Sequence, residues 1–102
     1  MSLNQSYYRA QTGTVTTTPV VIDVTPYSWP YDVTVIPGSG NTSKVEYTST
    51  KGAAASPSTA NWATWPNGTV SALSKDVYVG KLTALRFTRV SGSSTDTYEV
   101  EA

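Results

Sequence analysis

Covalent and acid–base chemistry needs a short list of side chains, and this chain carries few of them. Hydroxyls are plentiful, yet there is no histidine and no cysteine to activate one. No lysine stands in a Ser-x-x-Lys arrangement within a helical pattern. The carboxylates are Asp23, Asp32, Glu46, Asp76, Asp96, Glu99 and Glu101. Glycoside hydrolysis needs two of them about 5–9 Å apart across a cleft. Glu46, Glu99 and Glu101 alternate with apolar neighbours and read as solvent-facing, so no such pair is legible. No segment has the alternating oxygen ligands of an EF-hand, although a surface Ca²⁺ site between two loops stays open. Gly38-Ser39-Gly40 lacks the lysine and helix that follow in a phosphate loop, so it reads as a turn. The expectation is a protein that is not an enzyme and has no cofactor and no metal ligands.

Eleven aromatic residues, three Trp, seven Tyr and one Phe, are the more informative set. Tyr27, Trp29 and Tyr31 fall at period-two spacing in a proline-punctuated segment, Trp62 and Trp65 frame a turn, and Tyr7-Tyr8-Arg9 forms a patch near the start. A large ring in a loop either plugs the end of a β-sandwich or anchors a partner, because it buries much area at little rotamer cost. Plugging is the reading favoured for Trp29 and Trp62. Tyr7, Tyr8, Tyr27, Tyr31 and Trp65 are favoured for contact. The candidate partner-binding set is therefore Tyr7, Tyr8, Arg9, Tyr27, Trp29, Tyr31, Trp62 and Trp65.

The elements that must position these residues are strands. Thr is abundant, Val outnumbers Leu, and β-branched side chains suit a pleated surface better than a helix. Period-two alternation recurs and no apolar stripe persists at helical spacing. Val20, Ile22 and Val24 point one way, and Val33 and Val35 repeat the pattern. Val45 and Tyr47 face a core if Lys44, Glu46 and Thr48 face water. Further strands are expected at residues 14–18, 69–73, 76–79, 82–90 and 97–101, with Val77, Val79, Leu85, Phe87, Tyr98 and Val100 inward. Pro37-Gly38-Ser39-Gly40-Asn41 and Trp65-Pro66-Asn67-Gly68 read as turns, Pro19 as a break, and residues 51–61 as a mobile loop. About eight short strands at such spacing predict an all-β fold, an antiparallel β-sandwich or jelly-roll-like domain. Residues 1–12 read as a polar arm and 13–102 as a single domain, as the length of 102 residues suggests.

Charge narrows the partners. Seven basic and seven acidic residues cancel, and no basic stripe suggests nucleic acid. Arg86 and Arg89 flank Phe87-Thr88 and read as a solvated face or as ion-pair partners. No apolar run approaches the roughly 20 residues of a membrane helix, and the polar start, Met1-Ser2-Leu3-Asn4-Gln5, does not resemble a signal peptide. A soluble protein is expected. The glycosylation triplets at Asn4, Asn41 and Asn67 are what a Ser/Thr-rich chain produces by chance.

Three segments, Val45-Glu46-Tyr47-Thr48-Ser49, Trp62-Ala63-Thr64-Trp65-Pro66-Asn67-Gly68-Thr69-Val70 and Leu82-Thr83-Ala84-Leu85-Arg86-Phe87-Thr88-Arg89-Val90-Ser91-Gly92, resemble a group of small phage and prophage virion proteins. The likeness covers roughly residues 44–100, and within that group the size and neutral charge resemble capsid decoration (cement) proteins. The resemblance implies a virion structural protein on the capsid surface, made in the host cytoplasm. Its partners would be the major capsid protein and itself, as a homo-oligomer with a trimer favoured. Residues 1–12 and the loops at 25–31 and 51–68 would form the contact surface. A carbohydrate-binding module of a fibre or surface protein, and a head–tail joining or tail component, are the alternatives.

Overall fold

A computed structural model describes residues 10–78 and 80–101. Eight strands follow one another: β1 Ala10–Val15, β2 Val20–Asp23, β3 Tyr31–Ile36, β4 Thr42–Thr48, β5 Ala63–Thr64, β6 Ser74–Tyr78, β7 Ala84–Ser91 and β8 Asp96–Glu101. They form two four-stranded antiparallel sheets, β1-β8-β3-β6 and β2-β7-β4-β5. The ladder pairs include β1 with β8, β2 with β7, β3 with β6 and β4 with β5. That nesting is one long antiparallel ribbon rolled up on itself. The further pairs β3–β8 and β4–β7 close the roll into two sheets. The result is the jelly-roll form of the β-sandwich.

Alternation fills the space between the sheets. Val15, Ile22, Val24, Val33, Val35, Val45, Leu85, Phe87, Tyr98 and Val100 form the core, with Tyr31, Trp65 and Leu82 completing it. Phe87 stacks on Tyr98 across the sandwich at 4.5 Å between ring centroids. Tyr98 lies so close to β1 that a Cβ on Gly13 would collide with its ring. A glycine is thus required there for room rather than for backbone conformation.

Several expectations are corrected. Val77 is 50% exposed: β6 runs in the opposite phase, with Tyr78 turned toward the core and Val77 beside Asp32 on the outer face. The pattern is still period two, but Tyr78 rather than Val77 takes the inward position, opposite Tyr31. Residues 69–73 form no strand, and only Val70 bridges to Ser43. Thr16 to Thr18 bend away after β1, which itself starts at Ala10 inside the stretch read as an arm. Val79 lies outside the described residues.

The long β4–β5 connection, residues 49–62, is the most consequential difference. It contains a 3-10 turn at Pro57–Thr59 and packs as a flap on the outer face of β2-β7-β4-β5. Ala84, Thr48 and Glu46 point outward by register yet are buried, and Ala53 of the flap is buried as well. Small side chains in Gly52-Ala53-Ala54-Ala55 are what let the backbone lie this close. Glu46, expected to face water, is instead 9% exposed and paired.

Candidate binding surface

The aromatic residues sort by burial, and largely against the expectation. Tyr31 is fully buried and Trp65 is 2% exposed, so neither is available to a partner. Both begin or follow a strand whose alternation carries them inward. Trp65 donates its backbone N–H to Val45 O (2.9 Å) and its indole N–H to Gly68 O (2.7 Å). The turn Trp65-Pro66-Asn67-Gly68, closed by Gly68 N–H to Trp65 O at 3.0 Å, exists to seat that ring. Tyr27 is half-buried, its hydroxyl donating to Gln11 Oε1 at 2.7 Å.

Trp62 clips the flap down. Its indole N–H donates to Pro57 O (2.9 Å), and its ring covers the Arg86 guanidinium at 4.3 Å. Arg86 Nε in turn donates to Glu46 Oε1 at 2.9 Å, with Lys44 Nζ 4.0 Å from the other carboxylate oxygen. Arg86 is thus an ion-pair partner, one of the two roles its sequence setting suggested. Trp29, expected to plug the sandwich, is 53% exposed and stands at the tip of the β2–β3 loop, after the Thr25-Pro26 corner and before the cis Trp29–Pro30 bond. Tyr7, Tyr8 and Arg9 lie outside the described residues.

The two ends of the roll differ. At one end Asp96, fully buried, holds the β3–β4 and β7–β8 loops together. Its Oδ1 accepts from Gly38 N–H (2.8 Å) and Asn41 Nδ2 (2.7 Å), and its Oδ2 from the Ser43 hydroxyl. Asn41 also exchanges bonds with the Ser94 backbone in both directions. Both carboxylate oxygens are engaged by the β3–β4 loop and the start of β4, so the cluster is a latch.

The opposite end collects the β2–β3 loop, the flap and the β6–β7 loop. Val24 N–H donates to Thr83 O and Thr83 N–H to Thr48 O, while the Thr83 hydroxyl reaches Thr50 O at 2.7 Å. Between the flap and the edge of β2 lies a half-open hollow of about 170 Å³, lined by Asp23, Thr25, residues 52–55 and Thr83. Asp23 Oδ1 accepts from Thr25 N–H (3.0 Å) and the Thr25 hydroxyl (2.6 Å). The Thr25 hydroxyl, and then its backbone N–H, hold this carboxyl below the usual aspartate range. Thr25 and residues 52–55 fall in loops that the sequence offered as contact surface, but neither Asp23 nor Thr83 was among the candidate binding residues. Only the Asp-x-Thr spacing, a common turn signature, could have drawn attention to Asp23.

Nearby, Tyr31 and Tyr78 are cross-strand neighbours whose hydroxyls have no hydrogen-bond partner among the described residues. Tyr78 packs against Tyr47 at 4.9 Å. Burial pushes the Tyr78 phenol upward, with smaller contributions from Asp76 and Tyr47, and burial followed by Tyr27 does the same for Tyr98. The outer face of β1-β8-β3-β6 carries Thr12, Glu99, Thr34 and Lys75 in one cross-strand row. Among the described residues no group of three His, Cys, Asp or Glu is placed to hold a metal ion. Comparison with protein-family models, with curated proteins and with solved structures finds no match.

Proposed function

We propose that this chain is a non-enzymatic structural protein of a phage virion, a decoration protein that binds the outside of the capsid and stabilises it. The observation that carries the reading is the strand order, β1-β8-β3-β6 against β2-β7-β4-β5, an architecture that recurs in viral capsid and lectin domains. Support also comes from the resemblance of residues 44–100 to small virion proteins and from the half-exposed Trp29, an anchor of the kind that dominates protein interfaces. An oligomer of such subunits would engage several shell proteins at once and gain affinity through effective concentration rather than through any single strong contact.

Heads of the encoding phage, prepared without this protein and mixed with the purified chain, test it. Saturable co-sedimentation and a higher temperature of head disruption are expected, with binding weakened roughly tenfold or more by Trp29→Ala. Absence of co-sedimentation at micromolar protein overturns the reading. Carbohydrate binding is the second reading, and Trp29 is the specific observation that favours it. A glycan-dependent shift in tryptophan fluorescence, lost in Trp29→Ala, would decide for it.

A further inference from the structure

The hollow between the flap and β2 has a composition that specifies a ligand class. Its flap wall is Gly52-Ala53-Ala54-Ala55; Ala53 is buried against the sheet, and the small apolar Ala54 and Ala55 offer an alkyl chain an apolar bed. Its rim holds the Asp23 carboxylate, whose Oδ1 already accepts two hydrogen bonds from Thr25. Oδ2 has no partner among the described residues, and no described cation lies within ion-pair distance of it. Lys81, at the same end, donates instead to Thr25 O at 3.3 Å. The volume, about 170 Å³, falls well below the roughly 300 Å³ at which sites for drug-sized ligands begin. No aromatic ring lines it, which removes the stacking platform a sugar would use.

We propose that this hollow receives one lysine side chain of a protein partner, the stem lying along Ala54 and Ala55 and the ammonium donating to Asp23 Oδ2. Long basic side chains bury their methylenes while the charged head stays hydrated. Arginine suits the site less well. Its planar fork binds a carboxylate through both oxygens, and here one oxygen is already saturated, whereas an ammonium acts as a point charge and needs only one. The inference does not depend on which protein carries the lysine, so it goes beyond the decoration reading.

The probe is n-butylammonium chloride, titrated into ¹⁵N-labelled protein and followed by amide chemical shifts, with n-butanol and methyl glucoside as controls. Saturable shifts in the millimolar range are expected at residues 23–25 and 52–55. They should vanish in Asp23→Asn, which keeps the turn to Thr25, and in Ala54→Leu, which fills the hollow. Absence of saturable shifts overturns the proposal, as do equal shifts in Asp23→Asn, or shifts at these residues produced equally well by n-butanol or methyl glucoside. Because head co-sedimentation is a separate measurement, failure of either proposal leaves the other to be judged on its own result.

Discussion

Asp96 shows how a single residue can hold this fold and yet resemble a catalytic acid in a bare list of carboxylates. It is fully buried and accepts from Gly38, Asn41 and Ser43. Asp96→Ala removes the acceptor of all three, leaving Asn41 Nδ2 only its bond to Ser94 O, and a loss of about 3 kcal/mol or more in urea unfolding is expected. Asp96→Asn should lose only about 1 kcal/mol, because its remaining oxygen serves Gly38 and Asn41 while the Ser43 hydroxyl turns to accept. A smaller loss for Ala than for Asn would refute the latch. The buried tyrosines behave differently. The Tyr78 phenol is raised above its ordinary value of 10.0, so its neutral form is favoured by folding. That stability is fully present below about pH 10 and is lost as pH rises beyond it. Alkaline unfolding is therefore expected, with Tyr78→Phe moving its midpoint upward. Since the hydroxyl has no partner among the described residues, the same substitution should be neutral or mildly stabilising at pH 7. Chemical denaturation across pH 7–12 checks both expectations.

At the scale of elements, the flap decides which surfaces are free. Residues 49–62 cover one sheet face through Ala53, through the Thr83 hydroxyl bonds to Thr48 and Thr50, and through Trp62 on Arg86. Arg86→Ala removes the ring contact and the Nε bond to Glu46, leaving a largely buried carboxylate with only Lys44 at 4.0 Å. About 2–3 kcal/mol of destabilisation is expected, together with faster amide exchange across residues 50–62. Arg86→Lys should recover part of the stability but little of the exchange protection, because an ammonium does not lie flat on an indole. Unchanged exchange in Arg86→Ala would mean that the flap is held by its small residues alone. The flap was legible only as a loop. Its Ala, Ser and Gly content signals irregular backbone, and nothing in that content reveals that the loop lies on a sheet. The β6 edge likewise reads correctly as a strand and wrongly in phase. Val77 and Tyr78 are both plausible inward residues, and only the partner strand β3 decides between them. This edge is also guarded against pairing with another chain, since Asp76 Oδ1 accepts from Val77 N–H and Asn67 Nδ2 donates to Lys75 O.

For the whole molecule, the rolled ribbon makes the last strand central. β8 lies between β1 and β3, so the β1-β8-β3-β6 sheet, and with it one side of the core, is not complete until residues 96–101 have joined. Deleting residues 96–102 should leave a chain with no cooperative thermal transition. Retention of the transition without β8 would contradict this topology's role. Refolding should fall in the millisecond-to-second range typical of sandwiches built from non-local pairs.

Side-chain alternation and turn chemistry are local properties of the chain. They suffice to determine an all-β sandwich, most of its inward residues, and turns such as Trp65-Pro66-Asn67-Gly68. Which aromatic residues meet solvent depends on what covers each position, and that is a property of segments far apart in the chain. Trp29 is left exposed at a loop tip, Trp65 and Tyr31 are enclosed, and Glu46 is roofed over by the flap. The hollow at Asp23 has the same origin. Its walls come from β2, residues 52–55 and Thr83, and only folding brings them together.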